Sequence, residues 1–185
     1  MSILLKSVEH IKQVINVQQE FGKTFAITEI VKLEEIIDET LLISESSFEN
    51  NGVEIMREYG GVGEIHIDKQ KFMQIITNLI SNAKQSAMNK REEDGRIIIR
   101  TALEDGEVRI EVEDNGLGIS PENLPSIFSH GFTTKKDGHG FGLHSSAITA
   151  KQLGGGLAVH SLGLGQGATF TLRFSLSVNN EASII

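Results

Sequence analysis

The segment Phe72-Met-Gln-Ile-Ile-Thr-Asn78-Leu-Ile-Ser-Asn82-Ala83 carries two patterns at once and lies in a predicted helix over residues 68–90. Its apolar side chains recur every three or four positions and form one stripe, made of Phe72, Ile76, Leu79, Ala83 and Ala87. A polar line runs beside that stripe, because residues three or four apart share one helix face; it contains Gln74, Asn78, Asn82, Gln85 and Asn89. The segment therefore predicts a half-buried helix with a row of amides along its edge.

Periodicity elsewhere in the chain predicts a mixture of helices and strands. A helix is expected to begin at Thr28, a good N-cap, and to bury Ile30, Leu33, Ile37 and Leu41. Strands are predicted over residues 53–59, 64–68, 97–99, 108–112, 157–161 and 168–176, and a further helix over 145–153. Near the N terminus, a 4-3-4-3 spacing indicates a helix that packs either on a partner helix or on its own domain; it is formed by Leu4, Val8, Ile11, Ile15 and Gln18.

Composition restricts the ligands that the chain can bind. Its 185 residues are 39% hydrophobic, enough for a core without covalent cross-links, and they include no cysteine. Disulfides, thiolate zinc sites and cysteine nucleophiles are thereby excluded. The formal net charge of −8 disfavours a surface for nucleic acid or anionic membranes. No apolar run approaches the ~18 residues of a membrane span, which predicts a cytoplasmic chain. A phosphate-bearing ligand would need backbone groups, a metal or a few lysines.

Glycine is concentrated in one half of the chain. Twelve of the 19 glycines lie between Gly116 and Gly167, and residues 115–142 form a predicted loop without periodicity. Loops of that length inside compact domains are usually functional. Gly138-His-Gly140-Phe-Gly142 leads into a helix, so this run is either a flexible loop or an anion site at the helix N terminus. Lys135 and Lys136 are either solvated or within reach of a terminal phosphate.

Two polar motifs each have a structural and a chemical interpretation. Asp114-Asn-Gly116 follows a predicted strand and is either a simple turn or a carboxylate placed to accept a hydrogen bond from a ligand's exocyclic amine. Asn78 and Asn82 lie one helical turn apart. They either cap neighbouring loops or supply amide oxygens to Mg²⁺, which prefers hard oxygen ligands.

Taken in order, these motifs resemble those of the GHKL ATPases. Asn78-Leu-Ile-Ser-Asn82-Ala83 resembles their N box, Asp114-Asn-Gly116-Leu-Gly118 their first glycine box, and Gly138-His-Gly140-Phe-Gly142-Leu143 their second. Ile127-Phe128 through Gly131-Phe132-Thr-Thr-Lys135 is similar to the F box of nitrogen-regulator-type sensor histidine kinases, and Gly165-Gln-Gly167-Ala-Thr169-Phe170 to the closing strand motif. Five motifs that follow one another in the family's order make this resemblance highly specific.

The resemblance implies an α+β fold, the two-layer α/β sandwich called the Bergerat fold, in which helices back a mixed sheet and a long lid covers ATP. It implies that Asp114 binds the adenine amine, that Thr169 supports it through water, and that Asn82, assisted by Asn78, ligates Mg²⁺. Asn78 and Lys135 are the implied catalytic residues, with Lys135 near the γ-phosphate. The implied nucleotide-binding residues are Asn82, Gln85, Asp114, Gly116, Gly118, Ile119, Phe132, Thr134, Lys135, Gly138, His139, Gly140, Phe141, Gly142, Leu143 and Thr169. Gln85 stands where the N box commonly has a lysine.

The resemblance also implies a domain organisation. Residues 1–26 resemble the end of the second helix of a dimerisation hairpin, residues 27–178 form the ATP-binding domain, and residues 179–185 form a flexible tail. We expect the phosphoacceptor histidine on a segment that precedes this chain. The implied partners are ATP or ADP, a histidine-containing dimerisation domain, a response-regulator receiver domain and, in the full-length protein, a second copy of the chain. No nucleic acid is expected.

The implied reaction is transfer of the γ-phosphoryl group of Mg-ATP to a histidine, and three other functions share parts of the pattern. The gated ATPases of DNA gyrase, mismatch-repair proteins and chaperones place a glutamate where Asn78 stands, and an amide cannot activate water as that glutamate does. An anti-sigma-factor-like serine kinase is disfavoured by the N-terminal helix with Gln18-Gln19. A non-catalytic ATP-binding module is the third alternative.

Overall fold

The computed structural model describes residues 28–45, 52–89, 95–135 and 140–176. The predicted N-terminal helix, the C-terminal tail, Gly138 and His139 lie outside these ranges. The strands are β1 (Glu29–Lys32), β2 (Val53–Tyr59), β3 (Glu64–Ile67), β4 (Gly95–Glu104), β5 (Glu107–Asp114), β6 (Gly155–His160) and β7 (Ala168–Ser175). The helices are α1 (Leu33–Glu45), α2 (Lys69–Met88) and α3 (Gly142–Gln152), with a single 3₁₀ turn at Leu124–Ser126.

Five of the strands form one mixed sheet. Its order is β2-β4-β5-β7-β6, while β1 and β3 form a separate antiparallel pair. Strand β2 runs parallel to β4, and the chain between them passes through β3 and α2. The pairs β4–β5, β5–β7 and β6–β7 are antiparallel. The predicted α+β class with a mixed sheet backed by helices is confirmed.

The sheet has one buried and one polar face. Alternate residues of β5 and β7 are buried against the helices, among them Val108, Ile110, Val112, Phe170 and Leu172. Helix α2 packs its apolar stripe on this face, where Phe72 meets Phe174 edge to face with ring centroids 6.3 Å apart. Burying one such side chain stabilises the fold by about 2 kcal/mol.

Ion pairs cover the opposite face of the sheet. Arg100 pairs with Glu58 at 2.6 Å and with Glu113, and Arg109 pairs with Glu104 and Glu111. The domain therefore has two layers, one of helices and one of strands.

The predicted helix start at Thr28 is wrong. Residues Glu29–Lys32 are extended and pair with β3, and the helix begins at Leu33, whose N–H donates to the carbonyl of Gly63 at 3.2 Å. Ile30 is 71% exposed, whereas Leu33, Ile37 and Leu41 are buried as expected. The strand pairing supplies backbone hydrogen bonds that the helical spacing of the apolar residues does not reveal.

The remaining elements match the predicted ones with shifted ends. Helix α3 begins at Gly142, three residues before the expected start, and β6 begins at Gly155 inside the triple glycine. A side chain at position 155 would place its Cβ 1.9 Å from the carbonyl oxygen of Arg173, so glycine permits the close pairing of β6 with β7. Within the ranges described above, no helix is long and apolar enough to cross a membrane.

Candidate functional site

The C-terminal half of helix α2 carries the site residues. Asp68 caps its N terminus by accepting a hydrogen bond from the Lys71 N–H at 3.0 Å. Asn78, Asn82 and Ser86 then follow at intervals of four residues and therefore lie on one face. Each of the three contacts a different part of the molecule: helix α3, the loop before it, and the end of β5.

Asp114, the last residue of β5, is buried beside Ser86, with 3% of its surface exposed. Its Oδ1 accepts hydrogen bonds from the Ser86 hydroxyl at 2.8 Å and from the Gly116 N–H at 2.9 Å. Burial raises the pKa of Asp114, while the hydrogen bonds from Ser86, Gly116 and Ala168 oppose that rise. The arrangement holds a carboxylate where it can accept hydrogen bonds in a protected environment.

The turn after Asp114 lies directly against the backbone of α2. A Cβ at Gly116 would stand 2.2 Å from the carbonyl carbon of Ser86, so no other residue fits there without moving the helix or the turn. Gly118 has a φ of +68°, and a Cβ there would be 2.0 Å from the carbonyl oxygen of Gly163. Ile119 donates its N–H to Ser161 at 3.0 Å. The two predicted glycines thus fix the turn between α2 and the connection from β6 to β7.

Asn82 meets the loop that precedes α3. The Lys135 ammonium donates to Asn82 Oδ1 at 2.7 Å, and partial burial of that ammonium lowers the pKa of Lys135. Asn82 Oδ1 therefore already accepts a cation, as an amide oxygen ligating Mg²⁺ would. Phe132 is half-buried against the core, whereas Thr134 and Gln85 are exposed.

Asn78 joins α2 to the first turn of α3. Its Nδ2 donates to the buried Ser146 hydroxyl at 2.9 Å, and a Cβ at Gly142 would lie 2.4 Å from Asn78 Oδ1. Phe141, the N-cap residue of α3, has no polar side chain with which to cap the helix. Helix geometry leaves the first backbone N–H groups of α3 without intrahelical acceptors, and they include those of Gly142 and Leu143. This end of α3 can hold an anion.

Two glycines of the predicted loop over residues 115–142, Gly131 and Gly140, meet beside α3. The Gly131 N–H donates to the carbonyl of Gly140 at 3.2 Å, and Gly140 has a φ of +69°. The His130 ring lies against the rings of Phe141 and His144, with centroids 5.0 Å and 5.2 Å away. His144 Nδ1 lies 2.9 Å from the Phe128 carbonyl oxygen. Gly140 and Phe141 are thus held against Gly131 and His130, and Gly142 lies beside Asn78.

Thr169 is not brought to the site. Ala168 is the residue directly opposite Asp114 in the β5–β7 ladder, and it is buried on the same face. Successive residues of a strand point to opposite faces, so Thr169 lies with Glu113 on the side of the ion pairs. The predicted support of adenine by Thr169 does not agree with this register.

Two serines that contact predicted site residues are not themselves predicted from the sequence. Ser86 contacts Asp114, and Ser146 contacts Asn78. Ser86 continues the spacing of four from Asn78 and Asn82, which was the signal that could have found it; Ser146 has no comparable signal. A cavity of about 280 Å³ lies elsewhere, between β1, α1 and β3, and contains none of the predicted residues. The site residues instead lie along the face of α2 that carries Asn78, Asn82 and Ser86, and the space beside this face is called the groove below.

Comparisons with known proteins identify the family of the chain. The family described as "Histidine kinase-, DNA gyrase B-, and HSP90-like ATPase" matches residues 67–178. The chain belongs to this family. The signal transduction histidine-protein kinase AtoS of Escherichia coli K12 is 33% identical over the whole chain, which covers 30% of AtoS. The chain spans about a third of the length of the curated relatives it matches.

Solved structures of histidine kinases share the family fold. The catalytic domain of histidine kinase ThkA has a TM-score of 0.71 at 24% identity, over 80% of this chain and 95% of that domain. A second structure, ThkA in complex with response regulator protein TrrA, has a TM-score of 0.69 at 20% identity, over 95% of this chain and 50% of that chain. The chain is thus an ATPase-like domain of this family, and its fold is that of the histidine kinase catalytic domains.

Proposed function

We propose that this domain transfers the γ-phosphoryl group of ATP to a histidine on a dimerisation domain, as part of a two-component sensor kinase. The observation that carries the proposal is the row Asn78, Asn82 and Ser86 on α2. It connects a carboxylate at one end of the groove with the N terminus of α3 at the other. Such a row can align a nucleotide from its base to its phosphates.

Each part of the nucleotide has a partner in this proposal. Asp114 accepts the adenine amine, and Gly116 and Gly118 shape the turn around the base. The backbone N–H groups at Gly142 and Leu143 bind phosphate oxygens, which suits a chain of net charge −8 because backbone dipoles carry the positive charge. Lys135 contacts the γ-phosphate.

Asn82, with Asn78 beside it, would hold Mg²⁺. Its Oδ1 already accepts the Lys135 ammonium, so the oxygen is oriented towards a positive charge. When bound, Mg²⁺ supplies charge neutralisation at the phosphates. Asn82 and Lys135 then share the task of orienting the terminal phosphate.

Phosphoryl transfer is favoured over hydrolysis by the chemistry of Asn78. A water-activating residue must accept a proton, and a neutral amide does not. The Asn78 amide is moreover committed to Ser146 at 2.9 Å. Positioning and electrostatic stabilisation can carry transfer to an incoming histidine without a base on this domain.

The partners follow from the same reaction. The acceptor is a histidine of a dimerisation domain, and the full-length protein works as a homodimer. A response-regulator receiver domain then takes the phosphoryl group, which the ThkA complex with a response regulator supports for this fold. ATP as the donor implies a cytoplasmic domain.

The test mixes this chain with labelled ATP, Mg²⁺ and a separately expressed dimerisation domain. We expect acid-labile, base-stable label on the partner, and its loss with Asn82→Ala but not with Gln74→Ala, which removes an exposed amide from the same helix. Release of free phosphate without labelled partner would contradict the proposal and favour a gated ATPase.

A further inference from the structure

We propose that Ser86 is a positioning residue for nucleotide specificity: its hydroxyl holds the Asp114 carboxylate as a hydrogen-bond acceptor, so that the site selects 6-amino over 6-oxo purines. The inference rests on the proposed adenine site at Asp114 and deepens it. Ser86 acts through Asp114 and does not itself need to touch the base.

The partners of Ser86 indicate where its single hydroxyl proton points. The Leu117 N–H donates to Ser86 Oγ at 3.0 Å, and a backbone N–H cannot accept in return. The hydroxyl proton is therefore free to point at Asp114 Oδ1, 2.8 Å away. That oxygen also accepts the Gly116 N–H, so two donors face the same carboxylate oxygen and favour its ionised form.

Two opposing effects act on Asp114, and Ser86 contributes to the balance. Burial favours the protonated acid and raises the pKa of Asp114, whereas the hydrogen bonds from Ser86, Gly116 and Ala168 lower it. Among the described residues, the titratable neighbour that acts on Asp114 is Glu113, whose negative charge raises the same pKa. Loss of the Ser86 hydroxyl removes the hydrogen bond that lowers the pKa of Asp114 the most.

Protonation would change what the site recognises. An ionised carboxylate only accepts hydrogen bonds and suits an amine, whereas a protonated one also donates and can pair with a carbonyl. Adenine carries an amine at its 6-position, whereas hypoxanthine carries a carbonyl there. Selectivity between them therefore reports the protonation state of Asp114.

Ser86→Ala removes this hydrogen bond with little other damage. The Leu117 N–H also approaches the backbone carbonyl of Ser86, at 3.3 Å, so the turn keeps a contact with α2 in the variant. Gly116 packs against the backbone of Ser86 rather than its side chain, and that contact is retained. Ser81→Ala is the matched control, since it removes an exposed hydroxyl from the same helix.

The experiment measures the affinities for ATP and inosine triphosphate between pH 5 and 8 in the wild-type chain, Ser86→Ala, Ser86→Thr and Ser81→Ala. The ratio of the two affinities is used because the phosphates of both nucleotides titrate alike. At neutral pH we expect Ser86→Ala to lower the preference for ATP about tenfold, the effect of losing one hydrogen bond to a charged group. Ser86→Thr should retain the preference, because it keeps a hydroxyl.

The pH dependence separates positioning from simple destabilisation. Preference for ATP requires ionised Asp114, so it is full above the pKa of that carboxyl and declines as the pH falls through it. In Ser86→Ala the decline should begin at a higher pH. An unchanged ratio, or an equal loss of both nucleotides without a displaced pH profile, would overturn the inference.

A further variant distinguishes this inference from the proposed site itself. Asp114→Asn should abolish most of the preference for ATP, whereas Glu113→Gln, a change of the same charge on the other face of β5, should not. If Asp114→Asn has this effect and Ser86→Ala does not, the adenine site stands and the role of Ser86 fails. If neither has an effect, the adenine site fails.

Discussion

The two ends of the groove along α2 are built in different ways. At the Asp114 end, several hydrogen bonds join the buried carboxylate, Ser86 and the following turn. The glycines of that turn have no room for a Cβ. At the Asn82 end, the partly buried ammonium of an otherwise exposed lysine donates a single hydrogen bond to an amide oxygen. In the proposed site, the end assigned to the base is therefore held by several hydrogen bonds, whereas the end assigned to the phosphates is held by one. Binding energy from the base can therefore serve to order the phosphates.

The difference should appear first in stability, because the base end is also part of the core packing. Gly116→Ala would force a Cβ to within 2.2 Å of the Ser86 carbonyl carbon, and we expect it to lower the free energy of unfolding by about 3 kcal/mol. Urea denaturation measures this change. Gly156→Ala is the control, since its Cβ would meet nothing within 4 Å. Equal stability of the two variants would show that the turn is not packed on α2 as described.

The phosphate end should respond in binding rather than in folding. We expect Asn82→Ala to abolish the dependence of ATP affinity on Mg²⁺. At saturating Mg²⁺ the variant should therefore bind ATP about tenfold more weakly than the wild-type chain. Calorimetric titrations with and without Mg²⁺ measure the effect, with Gln74→Ala as the control. A wild-type Mg²⁺ dependence in Asn82→Ala would remove this residue from the metal site.

The smallest effect is expected at Lys135. Its ion-dipole contact with Asn82 is exposed, so Lys135→Met should change the free energy of unfolding by less than about 0.5 kcal/mol. Affinity for ATP should fall about fivefold while affinity for ADP is retained, because only ATP has the γ-phosphate. Lys151→Met, at the exposed end of α3, is the control. Equal weakening of ATP and ADP would argue against a contact specific to the γ-phosphate.

Local patterns predicted most elements of this fold, and they failed where distant segments meet. The apolar stripe of α2 and the alternation of β5 are visible in sequence because a single element determines them. The spacing of Ile30 with Leu33 and Ile37 fits a helix equally well, and only the pairing with β3 makes residues 29–32 a strand. The parallel pairing of β2 with β4 likewise has no local signal.

The candidate site shows the same limit. Motif order predicts that Asn78, Asn82, Asp114 and Gly142 belong to one site; the structure brings Asn78 to Gly142, and Asp114 to Ser86, one helical turn after Asn82. The predicted role of Thr169 requires its side chain on the face of Asp114, whereas the register with β5 places it opposite Glu113. A shift of one residue exchanges the two faces of a strand, and the register has no local signal. Ser86 and Ser146 were missed because an isolated serine in a helix has many uses.

The helical row in α2 also limits how this sequence can change in length. An α-helix turns by about 100° and rises about 1.5 Å per residue, so Asn78 and Ser86 are separated by roughly 12 Å along a rigid axis. Inserting one residue between Asn82 and Ser86 would rotate every side chain on one side of the insertion away from the groove. An insertion in a surface loop carries no such penalty. The spacing of Asn78, Asn82 and Ser86 along α2 must therefore stay constant in a chain that keeps the proposed site. Length variation among relatives should occur in the loops.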